Sequence, residues 1–224
     1  MNSPAITVDV WSDIACPWCF IGKRKLEAGI AAFAAQPGTP AVEIEFHSYE
    51  LAPDTPVDFQ GDEVSFLCDH KGMNETQVRQ MLTQVAGIAG DVGLRYDFEA
   101  LQHANTVLAH QLVHYAQAHG SQLEAKERLF AAYFEEGRNV GRIEDLADLA
   151  ADIGLDRADV VRSLTENEFL PAVRADQRQA QDYGIHGVPF YVVDGRYGIS
   201  GAQDPAVFVD VFARVAAERE ASIT

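Results

Sequence analysis

The chain has 224 residues, 47% hydrophobic and 23% charged, which suffices for a substantial core and is ordinary for a globular protein. Thirty-four acidic against seventeen basic residues give a net charge of −17, which excludes the basic footprint that nucleic acid or an anionic lipid surface requires. No run of eighteen apolar residues occurs, so no membrane-spanning helix is expected. The start, "MNSPAITVDVWSD", lacks a basic segment followed by an apolar one, so no export signal is read there and a cytoplasmic location is the default expectation.

Taken in chain order, "AITVDVW" (5–11) alternates Ile6, Val8 and Val10 and reads as a strand. "CPWC" follows, with Pro17 suited to the first position of a helix in which Phe20, Leu26, Ile30 and Phe33 recur at helical spacing. After "QPGTP", the run "AVEIEFHSYEL" reads as a second strand, so the first sixty residues are β-α-β. From Gly61 to Gly184 the pattern is almost wholly helical. Asn74 and Gln77 form a capping-box signature, "HANTVLAHQLVHYAQAHG" sets Val107, Leu108, Leu112 and Tyr115 on one helix face, and Ser121 is placed to cap the next helix. Beyond Gly184, "VPFYVVDGRYGISG" has two strand-like runs about the turn Asp194-Gly195. Asp204-Pro205 then opens a last helix. The order β-α-β, helical block, β-β-α implies a discontinuous α/β domain (1–60 and 185–224) carrying an all-helical insertion (61–184).

Cys16 and Cys19 admit three uses. A structural zinc site needs four ligands, yet only Cys68 remains as a thiol. His70, His110 and His114 are better explained as surface or hydrogen-bonded helix positions, so no metal centre is expected. A structural disulfide across so short a loop gains little and is reduced in the cytosol. Redox exchange fits the local physics best. Cys16 falls at a helix start, where free N–H groups and the helix dipole favour a thiolate and lower its pKa. Cys19, three residues on and less exposed, is placed to resolve a mixed disulfide formed at Cys16. Pro17 fixes the turn and Trp18 offers an apolar face to a substrate. Pro189, at the start of a strand in "HGVPFYV", is either an ordinary trans proline or a cis one. A cis bond would present the Val188 backbone to an extended peptide.

The combination resembles the thioredoxin-fold thiol oxidoreductases, specifically the DsbA-like group with its helical insertion, over essentially the whole chain. Within it the chain looks most like the FrnE-like branch, through "SDIACPWCFIG", "NTVLAHQL" and "ISGAQ". The resemblance implies a thioredoxin-like fold, Cys16 as nucleophile, Cys19 as resolving thiol and Pro189 as the cis-proline facing them. It also implies a thiol- or disulfide-containing protein or small molecule as substrate. No tightly bound cofactor is implied, with glutathione or another thiol as reductant. The Pro-Trp dipeptide lacks the histidine of strongly oxidising members, and Cys68 makes no second C-x-x-C and reads as a buried free thiol. A neighbouring branch, the 2-hydroxychromene-2-carboxylate isomerases and kappa-class glutathione transferases, carries serine in place of the first cysteine. Two alternatives therefore stay open: a glutathione-dependent isomerase or transferase on small aromatic or polyketide-like substrates, and a non-enzymatic peptide-binding or chaperone module.

Among supporting residues, Glu50 and Asp13 are candidates to relay protons to the resolving thiol, or else are solvated or capping carboxylates. His186 is a candidate neighbour of Cys16, Asn105 and His110 are carried by the resemblance alone, and Lys23 is expected in solvent.

Overall fold

In the computed structural model, residues 4–56, 59 and 61–221 are described. The sheet has four strands, β1 (Ile6–Ser12), β2 (Val42–Ser48), β3 (Phe190–Val193) and β4 (Tyr197–Ser200), in the order β2-β1-β3-β4. β1 and β2 run parallel around α1 (Pro17–Ala34), in register from Ile6 opposite Val42 to Ser12 opposite Ser48. β1–β3 and β3–β4 are antiparallel, and the second of these pairs is the expected hairpin about Asp194-Gly195. Asp194 takes a positive φ of 55° and Gly195 one of 65°, as a two-residue turn of this kind demands.

The period-two pattern of β1 sorts its side chains onto two faces. Ile6, Val8 and Val10 are buried on the side of α1 and α9 (Pro205–Ala221), where Phe33 meets Phe212 at 5.5 Å between ring centres. Gly29 lets the two helices close together, since a Cβ there would stand 2.8 Å from Phe208 Cβ. Trp11 faces the other way, in a separate cluster with Ala180, Ile185 and Val192.

Among the described residues, seven helices fill the connection between β2 and β3: α2 (Glu63–Lys71), α3 (Glu75–Asp91), α4 (Val107–Ala118), α5 (Gln122–Phe134), α6 (Ile143–Asp152), α7 (Arg157–Thr165) and α8 (Leu170–Asp182). The capping box of Asn74 and Gln77 forms as its signature predicts. Two local readings are corrected. Ser121 makes no side-chain cap on α5. α4 is not one-faced, because Ala109 to Ala116 are all buried while Val107 and Leu108 are only half-buried. A helix covered on every side belongs to the middle of a core, and α4 lies against α5, α6, α7 and α8.

One carboxylate gathers several of the contacts between the helical block and the sheet. Asp176 of α8 accepts the Ser48 N–H at 2.7 Å, and its oxygens lie 3.0 Å from His47 Nδ1 and 2.9 Å from His114 Nε2. Its backbone carbonyl accepts the Trp11 indole N–H at 3.1 Å. Burial opposes its ionisation, but the hydrogen bonds from His114, His47 and Ser48 outweigh it and hold the carboxyl well below its ordinary value. His47 answers in the opposite sense: burial opposes its charge, yet Asp176 and Asp9 raise it to about 9. The Asp176 contribution is present above its unfolded pKa of 3.8 and lost as pH falls. That of His47 is whole below 6.5 and lost as pH rises toward about 9. Asp176→Asn is therefore expected to lower unfolding stability by roughly 2–4 kcal/mol. In urea titrations the deficit should be largest at about pH 4–6.5 and shrink on either side of that window.

Candidate active site

Cys16 is the N-cap residue of α1 and Pro17 its first helical residue, as the C-P-x-C spacing dictates. The backbone folds tightly through the motif, with Cys16 N–H on Asp13 O at 3.3 Å and Cys19 N–H on Cys16 O at 3.0 Å. Both thiols are free and buried, Cys16 3% and Cys19 2% exposed. Cys19 is the less exposed of the two, as the sequence suggests, but only barely. What separates them is direction, because Cys16 lines the neighbouring cavity and Cys19 does not. Behind Cys19 the chain is anchored by Phe20, fully buried and stacked on Phe130 of α5 at 4.9 Å. The Tyr96 hydroxyl donates to Pro17 O at 2.7 Å and so holds the motif from the helical side.

The Val188-Pro189 bond is cis. It brings the Val188 carbonyl to the Cys16 thiol, Sγ to O 3.6 Å. Pro189 is buried against α1, where Gly22 makes room for it: a Cβ at that position would lie 2.9 Å from Pro189 Cγ and collide with the Tyr191 hydroxyl. Trp18 is exposed at the rim, and with Pro17, Cys16 and Val188 it lines a cavity of about 520 Å³ whose far wall comes from α2 and α3.

Asp13 is neither solvated nor a simple cap. It is 1% exposed, and its Oδ2 accepts the Leu51 N–H at 2.7 Å while Oδ1 accepts the Ala15 N–H at 3.3 Å and lies 3.3 Å from His110 Nε2. Burial works against the carboxylate, but His110, Leu51 and Thr106 keep its pKa below the ordinary value. His110 thus belongs to the site as the partner of Asp13. Asn105 is structural: its amide donates to Thr55 O at 2.6 Å and its oxygen accepts the Val107 N–H at the start of α4. Glu50 is corrected, since its carboxylate is taken by Arg174 and Gln177 and it does not line the cavity. His186 is exposed and also absent from the cavity wall. Lys23 is 6% exposed and paired with Glu27 and Glu127, so it is not in solvent. Cys68 is half-buried on α2, more open than expected. Among the described residues, the His, Cys and carboxylate side chains close enough to share an ion are Asp9, Glu45 and His47, none of them at the cysteines.

Sequence reasoning missed Lys126. It is 1% exposed on α5, its ammonium 3.4 Å from Ser12 O and lying over the rings of Phe130 and Phe46 at 4.9 and 5.4 Å. Burial brings its pKa down to about 8, against the pull of Cys19, Asp13 and Cys16, all within electrostatic reach. The signal was present in "QLEAKERLFAAY": Lys126 shares a helix face with Gln122, Leu129, Phe130 and Tyr133, a basic residue at a core position.

The Cys16 thiol is pushed well up, first by its hydrogen bond with Cys19, then by burial and by the charges of Cys19 and Asp13; the Cys19 backbone N–H opposes. The helix start alone had suggested a lowered value. A neighbouring sulfur and a buried carboxylate both disfavour negative charge at Cys16, and here they outweigh the helix start.

A model of the DSBA-like thioredoxin domain matches residues 7–213. The chain belongs to the DsbA-like thioredoxin family. Its structure is similar to that of a probable DsbA oxidoreductase of Streptomyces coelicolor, with a TM-score of 0.86 and 34% identity over 93% of this chain and 89% of that one. More distant likenesses, of fold alone, include a 2-hydroxychromene-2-carboxylate isomerase (TM-score 0.69, 15% identity, 97% and 99% of the chains). Another is the cytosolic disulfide reductase DsbM of Pseudomonas aeruginosa with GSH (0.61, 16%, 97% and 98%). Among the described residues no helix is long and apolar enough to cross a membrane.

Loss of the buried ammonium should separate reactivity from stability in this DsbA-like chain. Below pH 8 the native state carries the cost of a buried cation, which is relieved as pH rises toward 10.5. Lys126→Met should therefore leave stability at pH 6 unchanged or raise it by on the order of 1–3 kcal/mol. It should also shift the pH profile of thiol alkylation to higher pH, whereas Lys126→Arg should keep the profile closer to that of the parent protein.

Proposed function

We propose that the protein is a dithiol–disulfide oxidoreductase in which Cys16 is the nucleophile and Cys19 the resolving thiol. The observation that carries this reading is the asymmetry of the pair: Cys16 caps the helix, opens on the cavity and faces the cis-proline loop, while Cys19 is turned away from it. The Cys16 thiolate attacks one sulfur of a disulfide R–S–S–R′, forming a mixed disulfide and expelling R′S⁻, which takes up a proton. Cys19 loses its proton, attacks the Cys16 sulfur and expels RS⁻. The substrate gains two electrons and the protein becomes the Cys16–Cys19 disulfide; oxidation of two external thiols to a disulfide returns it to the dithiol.

Lys126, at about 8 and within electrostatic reach of Cys19, stabilises the second thiolate and exchanges its proton near neutral pH. Asp13 opposes thiolate formation at Cys16, so the two buried charges set the balance between dithiol and disulfide. In a reducing compartment the net direction is reduction or isomerisation of substrate disulfides, with glutathione or another thiol as electron donor. The DsbM structure with GSH supports a low-molecular-weight thiol in that role. A sulfur at position 16 favours exchange over the glutathione-dependent isomerase reading.

Cys19→Ser should accumulate mixed disulfides on Cys16, visible by intact-mass spectrometry and released by dithiothreitol. Cys16→Ser should reduce disulfide exchange to the uncatalysed rate. Unaltered exchange in Cys16→Ser would refute the assignment.

A further inference from the structure

The cavity beside Cys16 has a second polar feature that thiol exchange does not use. His103 on its wall is 4% exposed, with Nδ1 3.0 Å from Glu63 Oε2. The Tyr133 hydroxyl lies 3.4 Å from the same nitrogen and also bonds Glu63. Phe66 stacks on the imidazole at 3.4 Å between centres with the planes 15° apart, and Phe59 meets it edge-on at 5.3 Å. The ring is thus fixed on three sides. Its other nitrogen, Nε2, is buried with no hydrogen-bond partner among the described residues.

In the neutral imidazole, an Nδ1–H donated to the acceptor-only carboxylate of Glu63 leaves a lone pair on Nε2. A buried, unsatisfied acceptor is costly and rare in a native protein. Much of the surrounding wall is apolar, built from Leu51, Leu67, Met81, Leu82, Val85 and Ile88. Among the described residues no lysine or arginine lines the cavity, whereas Asp13 and Glu63 do. Its interior therefore disfavours carboxylates such as the two of glutathione and favours a neutral body. About 520 Å³ is within the range of small-molecule sites and encloses a substituted aromatic ring.

We propose that this cavity binds a small, uncharged aromatic thiol or disulfide bearing a hydroxyl, its sulfur at Cys16 and its O–H donated to His103 Nε2. The inference rests on the exchange reading of Cys16 and narrows its substrate class. The chemistry balances as above: a disulfide RS–SR takes two electrons from the Cys16–Cys19 dithiol and leaves as two RSH, the dithiol being restored by an external dithiol.

The test compares bis(para-hydroxyphenyl) disulfide with its isostere bis(para-tolyl) disulfide and with oxidised glutathione, using dithiothreitol as electron donor. One buried hydrogen bond predicts a kcat/KM about tenfold higher for the hydroxylated probe than for the tolyl one. That ratio should fall to near one in His103→Leu and be partly kept in His103→Gln, which retains an acceptor. Leu82→Trp, which adds bulk at the apolar cavity wall, should weaken both aromatic probes against oxidised glutathione. Equal turnover of the two aromatic probes, a preference that survives His103→Leu, or glutathione disulfide as the best substrate would each overturn the proposal. Binding of the unreactive para-(methylsulfanyl)phenol to Cys16→Ser, read by calorimetry against its tolyl analogue, separates the two readings. A hydroxyl preference there with no disulfide turnover upholds the cavity assignment and refutes exchange. Turnover without a hydroxyl preference does the reverse.

Discussion

Asp13 is the point on which this architecture turns. It sits between the end of β1 and the C-x-x-C motif, almost wholly out of water. A carboxylate buried there is tolerable only if its oxygens are satisfied. The partners come from three places: the Ala15 N–H in the turn before Cys16, the Leu51 N–H beyond β2, and His110 with Thr106 from the start of α4. Satisfying one charge therefore joins the motif turn, the exit of the second strand and the helical insertion. These three segments meet beside Cys16, where Ala15, Leu51 and Thr106 line part of the cavity. Asp176 repeats the device at the other end of the interface, where His47, Ser48 and His114 converge on it.

The same economy governs the chemistry. A dithiol in an apolar setting would hold both protons, because burial disfavours either thiolate. Asp13 adds to that bias and Lys126 subtracts from it. The helix start and the Cys19 N–H assist Cys16 in particular. In the proposed exchange, a small number of opposed buried charges sets reactivity, and the insertion supplies the positive one. A helical block that merely covered the sheet would not need a lysine at a core position of α5, where a hydrophobic side chain of similar volume would be no less stable.

Much of this was legible beforehand. The strand-to-helix junction at Cys16, the return to β structure after Gly184 and the hairpin at Asp194-Gly195 all carry local signals: alternation, a proline at a first helical position, an aspartate-glycine turn. The resemblance supplied the cis state of Pro189, for which composition and spacing contain no signal. Charged and polar side chains that find partners far along the chain were opaque. Glu50 looked free to serve Cys19 until Arg174, over a hundred residues away, was seen to take it. Lys23 looked solvated until Glu127 arrived from α5. His103 and Lys126 escaped notice for the same reason, since their roles exist only once the insertion folds back on the motif. Periodicity reports which face is buried; it does not report which buried charge meets which.

In the proposed reaction Cys16 and Cys19 act as one two-electron couple. Equilibration of the protein in dithiothreitol buffers of graded potential, followed by alkylation and intact-mass analysis, tests it most directly. A single transition fitting two electrons is expected, in which both thiols lose alkylation together and Cys68 keeps it. No such transition is expected in Cys16→Ser or Cys19→Ser. Alkylation of Cys16 that persists through the oxidising end of the titration, or loss of one thiol without the other, would contradict the two-electron couple.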